Sequence, residues 1–343
     1  MIRPRPDLGL LAAGLLLALP LGSARAASPA PPQAQPLPAA APAATAAPSG
    51  AGLATPLVSG LGWRSGGRDG DCLVQLRGRR LDVTHSFLHH NTFPEMVRYS
   101  GAGFVRALAR KSPLWVVSVG LVTDDHARQF AQCAAGAFDG YFRQVGANLR
   151  NAGAQGTVVR LGWEANSGTH AWGLSSSSQV PAYKACFRRA AQALKAGGPG
   201  LLIEWTNAKK GKLPALSMYP GDDVVDLWGV HYYDTGPKKS TQAIWDQYVN
   251  ATSDGNPWGI GAWLRAAQAH GKRLGVAEWA IWDQGEGAKA DDPVYMDNMA
   301  RFFRANAGSI AYETYFNTGR LHSLCPSTRF PKAAAHYKAS WGG

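Results

Sequence analysis

Eight apolar, β-rich runs separated by helical patterns limit the folds open to this sequence more than any other feature. Most intervals between the runs show three-to-four-residue apolar spacing that ends at a glycine, as amphipathic helices do. Eight strands alternating with helices predict an α/β fold, a single-domain (β/α)8 TIM barrel. A doubly wound open sheet is the alternative, but no Gly-x-Gly-x-x-Gly segment follows an early run. The predicted strands lie at about 57–63, 80–88, 113–122, 157–164, 200–206, 223–232, 273–279 and 309–316, and the clearest helices at 96–110, 126–150, 179–196, 259–270 and 294–306.

The N-terminus has the pattern of a secretory signal peptide. Arg3 and Arg5 precede an apolar stretch at 8–19, and small residues follow and end in Ala-Arg-Ala at 24–26. The apolar stretch is short for a transmembrane helix, so an uncleaved membrane anchor is the weaker interpretation. We predict a signal peptide at 1–26 that is cleaved after Ala26, and a mature protein that is secreted or periplasmic.

A low-complexity segment follows the signal peptide. Residues 27–56 are mostly Ala, Pro, Ser and Gln, a composition that buries too little apolar surface to offset the entropy of ordering. We interpret 27–56 as a disordered linker. No fixed-period repeat and no second linker divides the rest, so 57–343 is predicted to be one barrel domain.

The chain is strongly basic, with a formal net charge of +12. Such a charge favours acidic polymers or anionic glycans, although the Lys and Arg residues are scattered and equally fit a solvated basic surface. No nucleic-acid-binding motif accompanies the charge. We expect a monomer that binds a polysaccharide, neutral or anionic. We expect it to bind no nucleic acid and not to insert stably into a membrane.

Four cysteines in an exported protein allow three disulfide pairings, between which the sequence alone does not choose. In the predicted barrel, Cys133 and Cys186 would lie on consecutive outer helices. Cys72 and Cys325 would lie near the first and last helices, which are neighbours in a closed barrel. We expect the pairs Cys72–Cys325 and Cys133–Cys186. No Cys or His spacing indicates a zinc site, and we expect neither metal nor cofactor.

Two predicted strands end in a glutamate beside a tryptophan. The run at 156–162 leads into Trp163-Glu164, and the run at 273–277 leads into Glu278-Trp279. The carboxyl ends of the strands carry the active site of a TIM barrel. Glycosidic bond hydrolysis requires two carboxylates across a sugar-sized cleft, so Glu164 and Glu278 are the predicted catalytic pair. The alternatives are a buried ion pair of Glu164 with Arg160 and a helix-capping role for Glu278.

Polar and aromatic residues near these two glutamates are the predicted substrate contacts. Arg160 lies on the strand face of Glu164 and would hold a neighbouring carboxylate ionised. Aromatic rings provide flat apolar faces for pyranose rings, although each ring here is equally compatible with core packing. Glu204 and Glu313 are interpreted as inner-layer or outward polar residues. A Ser-His-Asp hydrolase is set aside because no Gly-x-Ser-x-Gly segment occurs. The predicted substrate-binding residues are Arg160, Trp163, Asn166, Trp172, His231, Tyr233, Trp279 and Trp282.

Three segments resemble glycoside hydrolase family 26 of clan A, typified by β-mannanases. Arg160-Leu-Gly-Trp-Glu164-Ala-Asn166 is similar to the family's Arg-x-x-His-Glu-Met-Asn, and Ala277-Glu278-Trp279 and 219–233 are similar to its strand-seven and strand-six segments. The resemblance implies a retaining barrel enzyme in which Glu164 is the acid/base, Glu278 is the nucleophile, and Tyr233 hydrogen-bonds the nucleophile.

The resemblance has three departures. Trp163 occupies the family's usual His position, His231 stands where mannanases carry Asp, and strand eight ends in Tyr315-Phe316 without the family's Trp. We predict a secreted retaining endo-β-glycosidase that acts on a β-mannan-like polysaccharide or a bacterial exopolysaccharide. A transglycosylase in exopolysaccharide processing and a non-catalytic glycan-binding barrel are the alternatives.

Overall fold

The computed structural model describes residues 53–68, 70–326 and 328–342, all of which belong to one compact unit. Eight parallel strands close into a barrel, and helices lie between most successive barrel strands. The predicted (β/α)8 barrel is confirmed. The predicted signal peptide 1–26 and linker residues 27–52 lie outside the described residues.

The strands and helices are numbered in chain order. The barrel strands are β1 (Ser65–Arg68), β2 (Val83–Phe87), β3 (Leu114–Val119), β4 (Gly156–Leu161), β5 (Leu202–Ala208), β6 (Leu227–Asp234), β9 (Arg273–Ile281) and β10 (Ile310–Phe316), and β7 (Thr252–Ser253) pairs with β8 (Asn256–Pro257) in a separate hairpin. Around the barrel the strand order is β1-β10-β9-β6-β5-β4-β3-β2. The helices are α1 (Gly70–Arg77), α2 (Phe93–Ser100), α3 (Gly103–Ala109), α4 (Phe130–Ala134), α5 (Asp139–Arg150), α6 (Val180–Gly197), α7 (Gln242–Tyr248), α8 (Ile260–Ala269), α9 (Pro293–Ala305), α10 (Gly319–His322) and α11 (Pro331–Trp341).

The predicted first strand, 57–63, is wrong. That segment is irregular, and its Val58 and Ser59 amides donate to the Asp82 carboxylate. The strand β1 has the sequence Ser-Gly-Gly-Arg, which has low β propensity. The glycine is required because β1 approaches β2 closely: a Cβ at Gly66 would lie 1.9 Å from the carbonyl oxygen of Val83.

Two helices predicted as continuous are each broken. The predicted helix 96–110 is α2 and α3, separated near Gly101, and the predicted helix 126–150 contains α4 and α5, separated near Gly136. Gly136 has φ of 92°, a left-handed conformation that glycine adopts without steric penalty. The apolar spacing in the sequence continues across both breaks, so the sequence pattern did not reveal them.

The N-terminal end of the barrel interior is closed by an apolar cluster that includes Leu53. This residue is 4% exposed and packs with inward residues of the strands such as Val83 and Val158. Thr55 is also buried, and the Arg64 guanidinium donates to the carbonyl oxygens of Leu53 and Thr55. The packed chain therefore begins before residue 57, which corrects the end of the predicted linker. This segment packs on the barrel because Leu53 fills a barrel end that would otherwise be open, and burying its apolar side chain is favourable.

Both expected disulfides are present. Cys72–Cys325 links α1 to the segment after α10, and Cys133–Cys186 links α4 to α6. In the part of the chain that the structure describes, no helix combines the length and apolarity needed to cross a bilayer.

Candidate active site

Glu164 lies in a tight turn just beyond β4. Gly162 and Glu164 both have left-handed backbones, with φ of 55° and 53°, and the Glu164 amide donates to the Thr206 carbonyl oxygen at 2.9 Å. A left-handed conformation at a non-glycine residue costs about 1–3 kcal/mol and persists only where its surroundings enforce it. The turn carries the Glu164 carboxyl out of the strand line and over the barrel mouth.

Asn166 holds this turn against β5. Its side-chain amide donates to the Ala208 carbonyl oxygen and accepts from the Ala208 amide, both at 3.0 Å, and its own carbonyl oxygen accepts from the Lys212 amide. Asn166 is 1% exposed. Asn166 was predicted to bind substrate, but its side chain instead positions the turn that carries Glu164.

A β-bulge in β9 points Glu278 into the barrel mouth. The register with β6 changes between Gly229, which pairs with Gly275, and His231, which pairs with Glu278, and the register with β10 shifts at the same place. An extra residue in one strand redirects the side chains that follow it. Ala277 accordingly joins the apolar cluster at the barrel bottom, while Glu278 faces the mouth.

Glu278 is held by two donors on separate oxygens. The Arg160 guanidinium lies 3.0 Å from Oε1, and the Tyr233 hydroxyl donates to Oε2 at 2.6 Å. Such charge-assisted hydrogen bonds suit a carboxylate anion in a fixed orientation. The Tyr233–Glu278 contact is the one that the family resemblance implied.

Arg160 is fully buried below the mouth and contacts two imidazoles as well as Glu278. Its guanidinium donates to Nε2 of His85 and Nε2 of His231. A guanidinium has only donors, so both rings carry their proton on Nδ1, a tautomer inferred from this network. Burial and the charge of Arg160 lower the pKa of His85 well below its usual value, which keeps that ring neutral.

One imidazole connects the two predicted catalytic carboxylates. Nδ1 of His231 lies 2.7 Å from Oε1 of Glu164, and its Nε2 lies 3.3 Å from Oε1 of Glu278. His170 approaches the other Glu164 oxygen at 3.7 Å. Burial raises the pKa of Glu164, but His231 and His170 together outweigh burial and lower that pKa well below its ordinary value. The structure thus brings Glu164, Glu278, Arg160, His231 and Tyr233 together as predicted.

The four predicted tryptophans divide into two pairs. Trp163 and Trp282 lie at the mouth, where Trp163 packs against Phe87 at 5.3 Å and Trp282 against Tyr233 at 5.2 Å between ring centroids. Trp163 is 5% exposed and Trp282 is partly exposed.

The other pair does not reach the cleft. Trp172 is fully buried, and its indole N–H donates to the Trp163 carbonyl oxygen at 2.7 Å. Trp279 is also fully buried and donates to Glu313 at 2.6 Å. Trp279 follows Glu278 on β9, and successive strand residues point to opposite faces, so its ring packs between the barrel and the helices.

Glu204 and Glu313 occupy the inner and outer faces, as interpreted. Glu204 lies inside the barrel and accepts from the hydroxyls of Thr206 and Tyr312, and burial raises its pKa. Glu313 lies outside the barrel and accepts from the indole N–H groups of Trp63, Trp279 and Trp341. Neither glutamate reaches the mouth.

Several residues at the mouth were missed by the sequence reasoning. Arg68, Phe87 and Phe316 end β1, β2 and β10 and are partly exposed there, and His170 and His322 come from loops and short helical segments. The position at a strand end could have identified Phe87, and Phe316 was noted only as the end of strand eight and not as a site residue. Arg68 was missed because the first strand was misplaced. In the described residues no group of His, Cys, Asp and Glu side chains is arranged to hold a metal ion.

Comparison with known proteins gives matches at the level of structure. No family model matches the sequence, and a search of curated proteins found no match. The structure is similar to GH26C from Muricauda sp. MAR_2010_75 (TM-score 0.57, 14% identity, 82% of this chain and 86% of that chain). It is also similar to the catalytic domain of the Bacillus sp. JAMB-750 GH26 endo-β-1,4-mannanase (0.58, 14%, 83% and 88%) and to a double mutant of a Cellulomonas fimi endo-β-1,4-mannanase (0.58, 15%, 81% and 70%). At these identities the likeness shows a shared fold, the (β/α)8 barrel.

Proposed function

We propose that this protein is a retaining endo-β-glycosidase that hydrolyses a β-mannan-like polysaccharide or a bacterial exopolysaccharide. The observation that carries the proposal is the pair of carboxylates, Glu164 and Glu278, that contact opposite nitrogens of the His231 ring at the mouth of a family 26-like barrel. The proteins with which the fold is shared include endo-β-1,4-mannanases, which supports the same class of reaction.

In the first step Glu278 is the nucleophile. Its carboxylate, oriented by Arg160 and Tyr233, attacks the anomeric carbon and forms a glycosyl ester while the glycosidic C–O bond breaks. Glu164 gives its proton to the departing oxygen. Arg160 loses its anionic partner when the ester forms. Glu164 becomes an anion at the same time, and hydrogen bonds through the His231 ring link it to Arg160. The net charge of the cluster is therefore unchanged.

In the second step Glu164 is the base. It takes a proton from water, the water oxygen attacks the anomeric carbon, and Glu278 leaves as a carboxylate. Two displacements at the same carbon retain the β configuration. The sugar hydroxyl released in the first step and the reducing end released in the second are the two ends of the cut polymer.

The imidazoles around Glu164 set the pH range of the reaction. The first step needs Glu164 protonated, whereas His231 and His170 lower its pKa. Activity is therefore lost as the pH rises through the pKa of Glu164, and we expect an acidic optimum. A bound sugar would exclude water from Glu164 and raise that pKa, since desolvation favours the neutral acid.

The mature protein is proposed to work outside the cytoplasm, as a secreted or periplasmic monomer. Two disulfides in a chain of this size suit an oxidising compartment. The signal-peptide pattern at 1–26 supports the same location.

The test is product release from β-mannan, β-glucan, xylan and acidic bacterial exopolysaccharides. Wild type is compared with Glu278→Gln and Glu164→Gln, and Glu95→Gln, a substitution on α2, serves as the matched control. We expect turnover on one polymer, its loss in both active-site variants and its preservation in the control. NMR of the first product should show the β anomer.

Other outcomes would replace the proposal. Binding of a polymer by all four proteins without cleavage would identify a glycan-binding barrel. New, longer oligosaccharides in place of shorter ones would identify a transglycosylase. Full activity of Glu278→Gln would remove Glu278 from the mechanism.

A further inference from the structure

The strand β6 extends beyond the end of its neighbour β5. Ala208, the last residue of β5, pairs in register with His231, whereas β6 continues to Asp234. On its other side β6 stays paired with β9 as far as Asp234. The backbone carbonyls of a strand point alternately to its two neighbours, so those of His231 and Tyr233 both face the β5 side. At Tyr233 there is no longer a residue of β5 to donate to that carbonyl.

Lys209 takes the place of the missing strand. It directly follows β5, and its backbone amide donates to the His231 carbonyl oxygen at 3.2 Å, which continues the ladder by one step. Its ammonium donates to the carbonyl oxygens of Tyr233 and Thr235, both at 2.7 Å. The Tyr233 carbonyl oxygen also accepts from the Thr235 amide at 2.8 Å, within the turn that ends β6. One side chain therefore fixes the end of β6 from the β5 side.

The surroundings of the ammonium strengthen these hydrogen bonds. Lys209 is only partly exposed, and burial lowers its pKa well below the usual lysine value, with the charge of Lys239 acting in the same direction. A hydrogen bond is stronger in surroundings less polar than water. An amine nitrogen carries N–H donors whether or not it is protonated, so the contact with both carbonyl oxygens does not require the charge.

The residue that Lys209 holds is the one that orients the predicted nucleophile. The Tyr233 hydroxyl donates to Oε2 of Glu278 at 2.6 Å, while the Tyr233 carbonyl oxygen accepts from Lys209. Glu278 lies on β9, on the opposite side of β6 from β5. The place where the Tyr233 hydroxyl meets Glu278 therefore depends on where the β5 side holds the Tyr233 backbone. A misplacement of about 1 Å in an active site can cost roughly 100-fold in rate.

We propose that Lys209 is a positioning residue for the nucleophile, which holds the end of β6 so that the Tyr233 hydroxyl meets Glu278. This inference rests on the proposed glycosidase function and adds to it a residue that acts through Tyr233. It explains why a lysine stem crosses from the end of β5 to two backbone carbonyls of β6.

The first test is Lys209→Met, which keeps an unbranched apolar stem and removes the side-chain donors. It should lower kcat by roughly 10-fold or more, up to roughly 100-fold, with little change in KM. The alkaline limb of the pH profile should stay in place, because the backbone amide that bonds the His231 carbonyl oxygen is retained. If this variant does not fold, Lys209→Gln, which keeps a shorter amide donor, replaces it and should lose less kcat.

Lys239→Met is the matched control. Lys239 is also a buried lysine that donates to two carbonyl oxygens, but these belong to Thr235 and Pro237, further along the chain than Tyr233. This variant should keep the kcat of wild type even where its thermal unfolding temperature falls. Thermal unfolding of every variant separates a loss of stability from a loss of rate.

A double-mutant cycle tests whether Lys209 acts through the Tyr233 hydroxyl. In a Tyr233→Phe background that hydroxyl is absent, so Lys209→Met should lower kcat by less than about threefold further. Losses that multiply would mean that Lys209 acts independently of Tyr233 and would overturn the proposal. Unchanged kcat in folded Lys209→Met would overturn it too, as would an equal loss in Lys239→Met.

If wild type cleaves no polymer, the glycosidase function fails, and crystal structures then test the positioning role by itself. In Lys209→Met the Tyr233 hydroxyl should lie farther from Glu278 than the 2.6 Å of wild type. An unchanged contact between Tyr233 and Glu278 would reject the positioning role.

Discussion

Replacing His231 with Ala should move the alkaline limb of the pH–kcat/KM profile to higher pH. That limb reports the proton on the general acid in the free enzyme, which we assign to Glu164. Burial alone raises the pKa of Glu164, and the neighbouring imidazoles of His231 and His170 reverse that effect. Without His231 the carboxyl keeps its proton to a higher pH, so the activity lost on alkaline titration is lost later.

The size of the shift follows from the contact. The Nδ1–Oε1 distance of 2.7 Å is that of a charge-assisted hydrogen bond, worth about 1.5–3 kcal/mol. At about 1.4 kcal/mol per pKa unit this predicts a shift of about one to two pH units. His170→Ala should shift the limb by less than about one unit, since its 3.7 Å separation exceeds hydrogen-bond distance.

The assay is initial rates at low substrate concentration, from acidic to neutral pH, on the polymer that wild type cleaves. His90→Ala is the control because His90 lies beside Trp163 and Trp172 but pairs with Asp124. We expect shifts in the order His231, His170, His90, with none for the last. An unchanged limb in His231→Ala, or a limb displaced to lower pH, would refute the assignment of Glu164 as the acid.

Two further outcomes test the support of the nucleophile and the closure of the barrel. Tyr233→Phe removes the 2.6 Å hydrogen bond to Glu278 and should lower kcat by roughly 10- to 100-fold with little change in KM; a lowered affinity at constant kcat would contradict this role. Leu53→Ala should lower the free energy of unfolding by about 2–5 kcal/mol in urea titrations while kcat is kept, because the side chain fills the barrel bottom far from the mouth; unchanged stability would show that Leu53 is dispensable for closure.

Sequence reasoning succeeded where a feature repeats along the chain or ends a strand. Strands buried on both faces, such as the fully buried β3, give continuous apolar runs that are visible in one dimension. The first strand escaped this reasoning because close packing against β2 required glycine at Gly66. Glu164 and Glu278 were found from the sequence because they lie at the ends of predicted strands, which are β4 and β9 in the structure, and a barrel places all such ends at one mouth.

The direction in which a side chain points, and the residues that it contacts, were decided only by the tertiary structure. Trp279 and Glu278 are adjacent in sequence, yet the alternation of side chains and the bulge in β9 send one outward and the other into the mouth. His231 lies between Glu164 and Glu278 only because the fold brings distant parts of the chain together: His231 and Glu164 are separated by 67 residues.

The sequence by itself determined the alternation of strands and helices, the closed barrel, both disulfide pairs once the barrel was assumed, and the two glutamates at its mouth. These follow from local periodicity and from the order of elements, which the chain carries directly. The tertiary structure decided that Arg68 joins the mouth, that Asn166 and Trp172 support it from below, and that His231 lowers the pKa of Glu164. Such properties depend on distances between side chains from different strands, which the sequence of any one strand does not contain.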